Sequence, residues 1–399
     1  MRYRAGVVTT LVLAGVVLLF WNPFASSPVI PAPVLSPPAI SHPTPGLLTG
    51  DSFGTADALP RTLDNESFWR MISEFSEPGG YFMYENFLSN EKSYQNPIPQ
   101  LTRIAKPGGV YLGVGPEQNF TYISALAPQM AFIIDIRRQN MLELLLYKAL
   151  FEMAANRADF VSLLFSRQRP NGLNEKSTAG ELFKAFSAAV PDRQLFGENI
   201  QHIKDHLVDS RQLPLAAEDL KTIEYVYRVF FSIGPQLNYA SVSPGPSGPS
   251  YENLMTLTDG RGHNWSYLAT EANYNFVRIL QQRNLIVPIV GDFAGPKAIR
   301  SVGHYLKNHN AIVSAFYVSN VEMYILPAQQ WKSFCANVAA LPMDAYSNFI
   351  RFVLPYFAQT LPAPGYYGSV SVVSPMIDVL TGVVKNYPPS YYDLLHDSR

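Results

Sequence analysis

The alternation of short apolar segments with longer amphipathic ones constrains this 399-residue chain more than any other feature. The apolar segments have the length of buried strands, and most of them are followed by residues at helical spacing. The predicted strands are residues 110–114, 130–136, 254–259, 285–293, 311–320 and 348–354. Such alternation predicts a three-layer α/β fold, in which helices cover a mostly parallel sheet.

Residues 157–240 interrupt the alternation, because phenylalanine, leucine and tyrosine recur there at helical intervals without a strand-like run between them. We interpret this stretch as a helical insertion in one α/β domain that spans residues 51–399. Residues 243–250 have proline or glycine at nearly every other position, which is typical of a loop.

The amino terminus has the features of a membrane anchor. Residues 5–21 are apolar and uncharged, and as a helix they would span about 25 Å, the short end of what crosses a bilayer. Arg2 and Arg4 precede them, which orients the amino terminus towards the cytoplasm and the domain away from it. A cleaved signal peptide is the alternative, although its best site has Pro23 at the −3 position.

Residues 22–50 follow with eight prolines and no Asp, Glu, Lys or Arg. This composition predicts a semi-rigid linker, at most about 90 Å long at 3.1 Å per residue. The linker would hold the domain away from the membrane.

Composition and motifs exclude several classes of function. The formal net charge of −1 is unlike the basic footprint of a nucleic-acid-binding protein. The single cysteine, Cys335, excludes an intramolecular disulfide and a cysteine-rich metal site. His202 and His206 share a helix face, but Ile203 replaces the glutamate of a zinc-protease motif, and no metal site is predicted.

Ligands of open α/β sheets bind beyond the carboxyl ends of the strands. Polar or glycine-containing groups follow five of the predicted strands. These groups are residues 113–119, Asp135, Asp259, residues 291–293 and residues 319–322. We therefore expect a small-molecule site at this edge of the sheet.

The first of these groups is a G-x-G turn between a strand and a helix. Gly113 and Gly115 would let a ligand approach the backbone, and the helix that begins near Gln118 and Asn119 favours a polar or anionic group. Asp135 lies twenty residues beyond Gly115, the spacing of a ribose-binding acid. Gln118 replaces the third glycine of G-x-G-x-x-G, which fits adenosine without a diphosphate. A structural bend is the alternative.

With this order of strand, G-x-G turn, helix and strand ending in Asp135, the chain resembles class I S-adenosylmethionine-dependent methyltransferases over residues 105–155 and 250–355. The resemblance implies that the glycine turn faces the methionine part of S-adenosylmethionine. It also implies that Asp135 binds the ribose and that Asp259, after the predicted third strand, contacts the adenine. GDFAGP stands where the family has D/N-P-P-Y. The phrases YLGVGPEQNFTYI and FIIDIRRQN also resemble a group of uncharacterised bacterial proteins.

Four further residues are candidates for catalysis. Asp292 follows an apolar strand and has the position of a base or of a group that orients an amine, although a helix cap is an equal alternative. The other three lie near the end of the next strand and are Tyr317, Asn320 and Glu322. Alternate residues of a strand point to opposite faces of the sheet. The two acids of the ligand site also have structural alternatives, since Asp135 precedes two arginines and Asp259 precedes a glycine in a turn.

These observations lead to a hypothesis of a membrane-anchored, Rossmann-like protein that binds an adenosyl ligand and transfers a methyl group. The predicted topology places the domain outside the cytoplasm, where adenosyl cofactors are not normally supplied. The first alternative is therefore a non-catalytic cell-envelope module on the same fold. The second is a cofactor-free hydrolase with Asp292 or Glu322 as base.

Overall fold

A computed structural model describes residues 58–242, 248–358, 369–378, 390–391 and 394. Six strands form one sheet in this part of the chain. They are β1 (Val110–Gly113), β2 (Met130–Asp135), β3 (Ile286–Val290), β4 (Val313–Ser319), β5 (Asn348–Val353) and β6 (Val370–Pro375). Every residue of β1, β2, β3 and β5 is buried, as expected for parallel strands covered on both faces.

The strand order is β3-β2-β1-β4-β5-β6, with parallel pairs throughout except for the antiparallel β5–β6 pair. The sheet is thus mostly parallel and the fold class is α/β, as predicted. The chain order reverses between β1 and β4, and open α/β sheets bind ligands beyond the carboxyl ends of the strands at such a position, here called the β1–β4 crevice.

Helices follow or precede each strand. The first four are α1 (Asn65–Phe75), α2 (Ile98–Ile104), α3 (Gln118–Leu126) and α4 (Arg138–Met153). The next six are α5 (Arg157–Phe165), α6 (Ala179–Ala188), α7 (Arg193–Asp205), α8 (Ala217–Ile233), α9 (Tyr251–Thr256) and α10 (Glu271–Gln282). The last four are α11 (Ala298–Asn308), α12 (Glu322–Ile325), α13 (Trp331–Ala339) and α14 (Pro355–Ala358).

Helices α5 to α8 occupy the stretch interpreted as an insertion, and a π-helical turn (His206–Ser210) extends α7. Their boundaries follow local chemistry. Thr178 and Glu181 form a capping box that begins α6, and the Asp192 carboxylate accepts from two backbone N–H groups to begin α7.

The strand predicted for residues 254–259 is wrong. Residues 251–256 form helix α9, since Ser250 and Asn253 form a capping box at its start and Leu254 and Met255 are buried. A short apolar run fits a strand or a buried helix equally well from periodicity alone. Strand β3 is therefore the segment predicted as residues 285–293, and it is the third strand of the domain, not the fourth.

The predicted anchor, residues 5–21, and the predicted linker, residues 22–50, lie outside the described residues. Within the described part of the chain, no helix has both the length and the apolar character needed to cross a bilayer.

Candidate functional site

Residues 76–91, here called the covering segment, run across the carboxyl ends of the central strands. The Glu77 N–H donates to the Val290 carbonyl at the end of β3 (2.8 Å), and the Gly80 N–H donates to the Ile136 carbonyl just after β2 (2.7 Å). The segment then reaches the ends of β1 and β4. The edge at which a ligand is expected is therefore covered by the chain itself.

The first end of the covering segment is held by the Glu77 carboxylate. It accepts from the backbone N–H groups of Asp292 (3.2 Å), Lys297 (2.7 Å) and Ala298 (2.8 Å), at the start of α11. A Cβ at Gly295 would lie 2.1 Å from Glu77 Oε2, so the loop needs glycine there. Glu77 thus satisfies donors that helix α11 would otherwise leave unpaired.

The glycine turn after β1 is present and is filled by the side chain of Asn119. Asn119 Nδ2 donates to the carbonyls of Val114, Gly115 and Pro116 at 2.8–3.0 Å, and its Oδ1 accepts from the Tyr111 hydroxyl at 2.8 Å. A Cβ on Gly113 would lie 1.9 Å from Asn119 Oδ1, and Gly115 has a φ of +77°. Both glycines are required by this arrangement.

Asp135 ends β2 and is paired with Arg137. Its Oδ1 accepts from the Arg137 backbone N–H (2.8 Å) and Nε (3.2 Å), and its Oδ2 accepts from Nη2 (3.1 Å). Both residues are buried, and Arg137 Nη1 has no partner. The pair matches the structural alternative for Asp135, in which a following arginine pairs with it, and its role in binding ribose stays a prediction.

Four aromatic side chains from three parts of the chain contact one another beside this pair, and we call them the aromatic roof. The ring centroids of Phe82 and Tyr84 are 5.7 Å apart, those of Phe82 and Tyr324 are 5.4 Å apart, and those of Tyr84 and Tyr239 are 5.7 Å apart. Burial raises the pKa of Tyr239. Tyr324 and the Asp135 carboxylate raise this pKa further, whereas the positive charge of Arg137 lowers it. Two roof residues belong to the covering segment.

The last residue of the covering segment, Glu91, is buried at the carboxyl end of β4. Its Oε1 accepts from the hydroxyls of Tyr317 and Ser319, each at 2.5 Å, while its Oε2 is buried without a partner. Burial raises the pKa of Glu91 to about 7, although the two hydroxyl donors oppose the shift. Ser319 has a φ of +51°, a conformation that non-glycine residues seldom adopt outside functional or strained sites.

Two further buried glutamates lie in this region, Glu117 near Glu91 and Glu143 near Glu117. Glu117 accepts from the Ser89 N–H through Oε1 (3.3 Å), and its Oε2 has no partner. Burial raises the pKa of Glu117 to about 8, with a further rise caused by Glu91. Both carboxyl oxygens of Glu143 are unpartnered, and burial raises its pKa well above the ordinary range. These groups are protonated more readily than ordinary carboxylates.

Gln118 connects the glycine turn to Glu91. Its Nε2 donates to the Val114 carbonyl and to the Tyr317 hydroxyl, both at 3.3 Å. Its Oε1 is buried and has no partner. Gln118 and Tyr317, two predicted site residues, are therefore brought together at the β1–β4 crevice.

Glu322 forms a buried ion pair. It is fully buried, and Arg351 donates to both of its oxygens, at 2.6 Å from Nε and 3.0 Å from Nη2. Arg351 also contacts the Ser374 hydroxyl. The pairing gives Glu322 a structural role, and its catalytic role stays a prediction. Asn320 is half-buried beside Ser319, whose hydroxyl lies 3.4 Å from its Oδ1.

The two acids predicted to contact a ligand after later strands have different positions. Asp259 lies after helix α9, where it accepts from the N–H groups of Arg261 and His263 and from Trp265 Nε1. Although burial opposes it, these donors hold the pKa of Asp259 below its ordinary value. The prediction that Asp259 ends a strand is therefore wrong, and in the structure its carboxylate holds a loop together.

Asp292, by contrast, does lie at the carboxyl edge, half-buried and two residues beyond Val290, which pairs with Asp135. One of its oxygens accepts from the Ala294 N–H at 2.9 Å. The sequence therefore locates Asp292 correctly at the end of a strand. That strand was counted as the fourth of the domain, whereas it is the third.

Two surface hollows lie away from this edge. One, of about 410 Å³, is at the amino ends of β1 and β4 and is lined by Lys106, His309 and Tyr346 among others. The other, of about 620 Å³, lies between α5 and the loop before α6, where Arg157 and Glu271 pair. Neither contains a residue of the predicted site. Among the described residues, no three His, Cys, Asp or Glu side chains are arranged to hold a metal ion.

The site residues that come from the covering segment, above all Glu91, were not predicted from the sequence. A signal was present, because the aromatic residues around Gly79 and Gly80 are too many for an ordinary surface loop. Glu117 stands within the glycine turn itself, but its burial depends on contacts with Ser89, which is 28 positions away.

Comparison with known proteins gives a family but no activity. No curated protein matches the chain. A family model described as "Domain of unknown function (DUF7790)" matches residues 86–207 and 249–360, which together make up more than half of the chain. The two matched segments include the glycine turn, β1 to β5 and the Glu91–Tyr317 contact. The chain belongs to this DUF7790 family.

Proposed function

We propose that this protein binds an adenosyl ligand at the carboxyl ends of β1, β2 and β3, on a Rossmann-like fold that resembles the S-adenosylmethionine-dependent methyltransferases. One observation carries the proposal: the glycine turn follows β1 at the β1–β4 crevice, β2 ends in Asp135, and Asp292 lies two residues beyond the end of β3.

The corrected strand count changes which acid the resemblance assigns to the adenine. Since β3 is Ile286–Val290, the acid after the third strand is Asp292 and not Asp259. Asp135 keeps the position of the ribose-binding acid. Gly113 and Gly115 keep that of the turn beside the methionine part. The aromatic roof supplies flat apolar surfaces beside Asp135, which suit a stacked base.

In this proposal, S-adenosylmethionine supplies an activated methyl group when bound. The chain's own contribution is to hold the ligand and the acceptor in position and to exclude water, which is most of what such a reaction requires. The end of β4 provides the nearest polar groups, Tyr317, Ser319 and Asn320. The covering segment would provide the seal over them.

A second candidate is a non-catalytic binding module on the same fold. Two observations favour a binding module over methyl transfer. Both carboxylate oxygens of Glu322 are paired with Arg351, and the Asn119 side chain fills the glycine turn. Turnover separates the two candidates. A methyltransferase converts S-adenosylmethionine to S-adenosylhomocysteine in the presence of an acceptor, whereas a binding module retains the ligand unchanged. Glu322 engaged in this way does not favour a hydrolase.

Calorimetric titration of S-adenosylhomocysteine into the full-length chain tests the ligand. Asp292→Asn should weaken binding by about 10- to 100-fold, as expected for the loss of a hydrogen bond to a charged group. Asp259→Asn is the matched control and should leave the affinity unchanged. Absence of binding at millimolar ligand, or weakening by Asp259→Asn and not by Asp292→Asn, would refute the assignment.

We also propose that residues 5–21 anchor the protein in a membrane, with the domain on the non-cytoplasmic side. The support is the uncharged apolar run after Arg2 and Arg4. Extraction of membranes at alkaline pH tests the anchor, because a peripheral protein is released. A carboxyl-terminal reporter that is active on one side only tests the topology. A cytoplasmic domain would favour the methyltransferase, and an external one the binding module.

A further inference from the structure

Three buried acceptor atoms near the β1–β4 crevice have no hydrogen-bond partner. They are Glu91 Oε2, Gln118 Oε1 and Glu117 Oε2, and each belongs to a side chain that is at least 96% buried. A buried polar atom without a partner costs about 1–3 kcal/mol, so three in one region are unusual unless a ligand satisfies them.

The three side chains are connected by their other polar atoms and by one electrostatic contact. The Tyr317 hydroxyl donates to Glu91 Oε1 (2.5 Å) and accepts from Gln118 Nε2 (3.3 Å), so both side chains contact the same oxygen. Glu117 is the residue next to Gln118, and Glu91 raises its pKa. No described Lys, Arg or His side chain forms an ion pair with Glu91 or Glu117.

A group that donates hydrogen bonds and carries positive charge would pair with these oxygens and favour the ionised form of the two glutamates. A metal ion is disfavoured, because the described residues contain no cluster of three ligating side chains. A primary ammonium carries three N–H donors, so it can serve several of these acceptors at once. Aromatic faces also attract ammonium groups, and the rings of Tyr122 and Tyr317 lie 5.1 Å apart in this region.

We infer that Glu91, Gln118 and Glu117 form a subsite for the primary ammonium group of a small organic ligand. The subsite goes beyond the proposed adenosyl site and does not require it. It is tolerated without its ligand because protonation removes the charge from both glutamates. The ammonium group belongs either to the amino-acid part of an adenosyl ligand or to a second amine-bearing molecule.

The test uses the thermal midpoint of the full-length chain in methylammonium chloride, with tetramethylammonium chloride and potassium chloride at the same ionic strength. Methylammonium should raise the midpoint in a concentration-dependent, saturable way, because it binds only the folded state. Tetramethylammonium has the same charge but no N–H donor, and it should give no increase beyond that of potassium.

Glu91→Gln should abolish the methylammonium effect. The matched control is Glu198→Gln on α7, where an exposed carboxylate accepts from Gln194, and it should leave the effect intact. If Glu91→Gln does not fold, Gln118→Met takes its place, and the comparison of the three salts on the unaltered chain needs no variant. Equal effects of methylammonium and tetramethylammonium, or a full effect in Glu91→Gln, would overturn the inference.

A parallel titration with saturating S-adenosylhomocysteine identifies the source of the ammonium group. If methylammonium still raises the midpoint, the group comes from a second molecule. If the effect disappears, the amino-acid part of the adenosyl ligand occupies the subsite. A chain that binds methylammonium but not S-adenosylhomocysteine would keep the subsite and refute only the proposed adenosyl function.

Discussion

Replacing Glu322 with glutamine distinguishes a structural residue from a catalytic one. The carboxylate is fully buried, its two oxygens accept from Arg351 at 2.6 and 3.0 Å, and only 3% of the Arg351 side chain is exposed. Arg351 also lies over the Phe349 ring at 4.6 Å, so the guanidinium cannot leave without disturbing β5. Glu322→Gln would leave a buried, uncompensated positive charge, which typically costs about 3–5 kcal/mol.

Urea-induced unfolding followed by circular dichroism measures this cost. A second substitution, Arg351→Met, removes the unpaired charge and should recover much of the loss, since apolar replacements of buried pairs are often neutral. Glu218→Gln is the control: its partner Lys221 is exposed, and the cost should stay below about 1 kcal/mol. A loss below about 1 kcal/mol in Glu322→Gln, without rescue by Arg351→Met, would refute the structural role.

Two more predictions concern the glycine turn and the buried glutamates. Gly113→Ala should lower the free energy of unfolding by about 1–3 kcal/mol, since the added Cβ would overlap Asn119. Gly197→Ala is the control, because this position in α7 has open space around it, and the substitution should raise the free energy of unfolding slightly. Equal effects of the two substitutions would contradict the packing argument. In the folded state, the pKa values of Glu91 and Glu117 are raised from 4.5 to about 7 and about 8. The contribution of the two groups to stability is therefore complete below pH 4.5 and is lost as the pH rises through 7 to 8. Thermal midpoints measured from pH 6 to 8.5 should therefore fall less steeply in a Glu91→Gln/Glu117→Gln variant; parallel curves would refute this.

Most of the sheet was predictable from sequence because its central strands are buried on both faces and consist largely of apolar residues. Strands β1 to β5 all fall within predicted segments. Strand β6 (Val370–Pro375) was not predicted. The error at residues 254–259 has a physical cause, since α9 is only six residues long and its buried face looks the same as a strand. That single error shifted the strand count, so the resemblance assigned the proposed adenine contact to Asp259, whereas the corrected count assigns it to Asp292.

The candidate site was predictable only where its residues come from strand ends. Gly113, Gly115, Asp135 and Asp292 are local features of a strand followed by a turn. Glu91 and the aromatic roof depend on contacts between distant parts of the chain, such as Glu91 with Tyr317, which are 226 positions apart. Local patterns carry no information about such pairs, and the ion pair that engages Glu322 was missed for the same reason.

The covering segment has a consequence for the rate of association. If a ligand binds beneath the covering segment, as proposed, it enters while the contacts of Glu77, Gly80 and Glu91 are broken, and the observed affinity is then the intrinsic affinity reduced by the fraction of time that the segment is open. The binding rate should then level off at high ligand concentration, at the rate of opening. Once the ligand is bound and the segment has closed, escape requires the same opening, so even a weak ligand would have a long residence time.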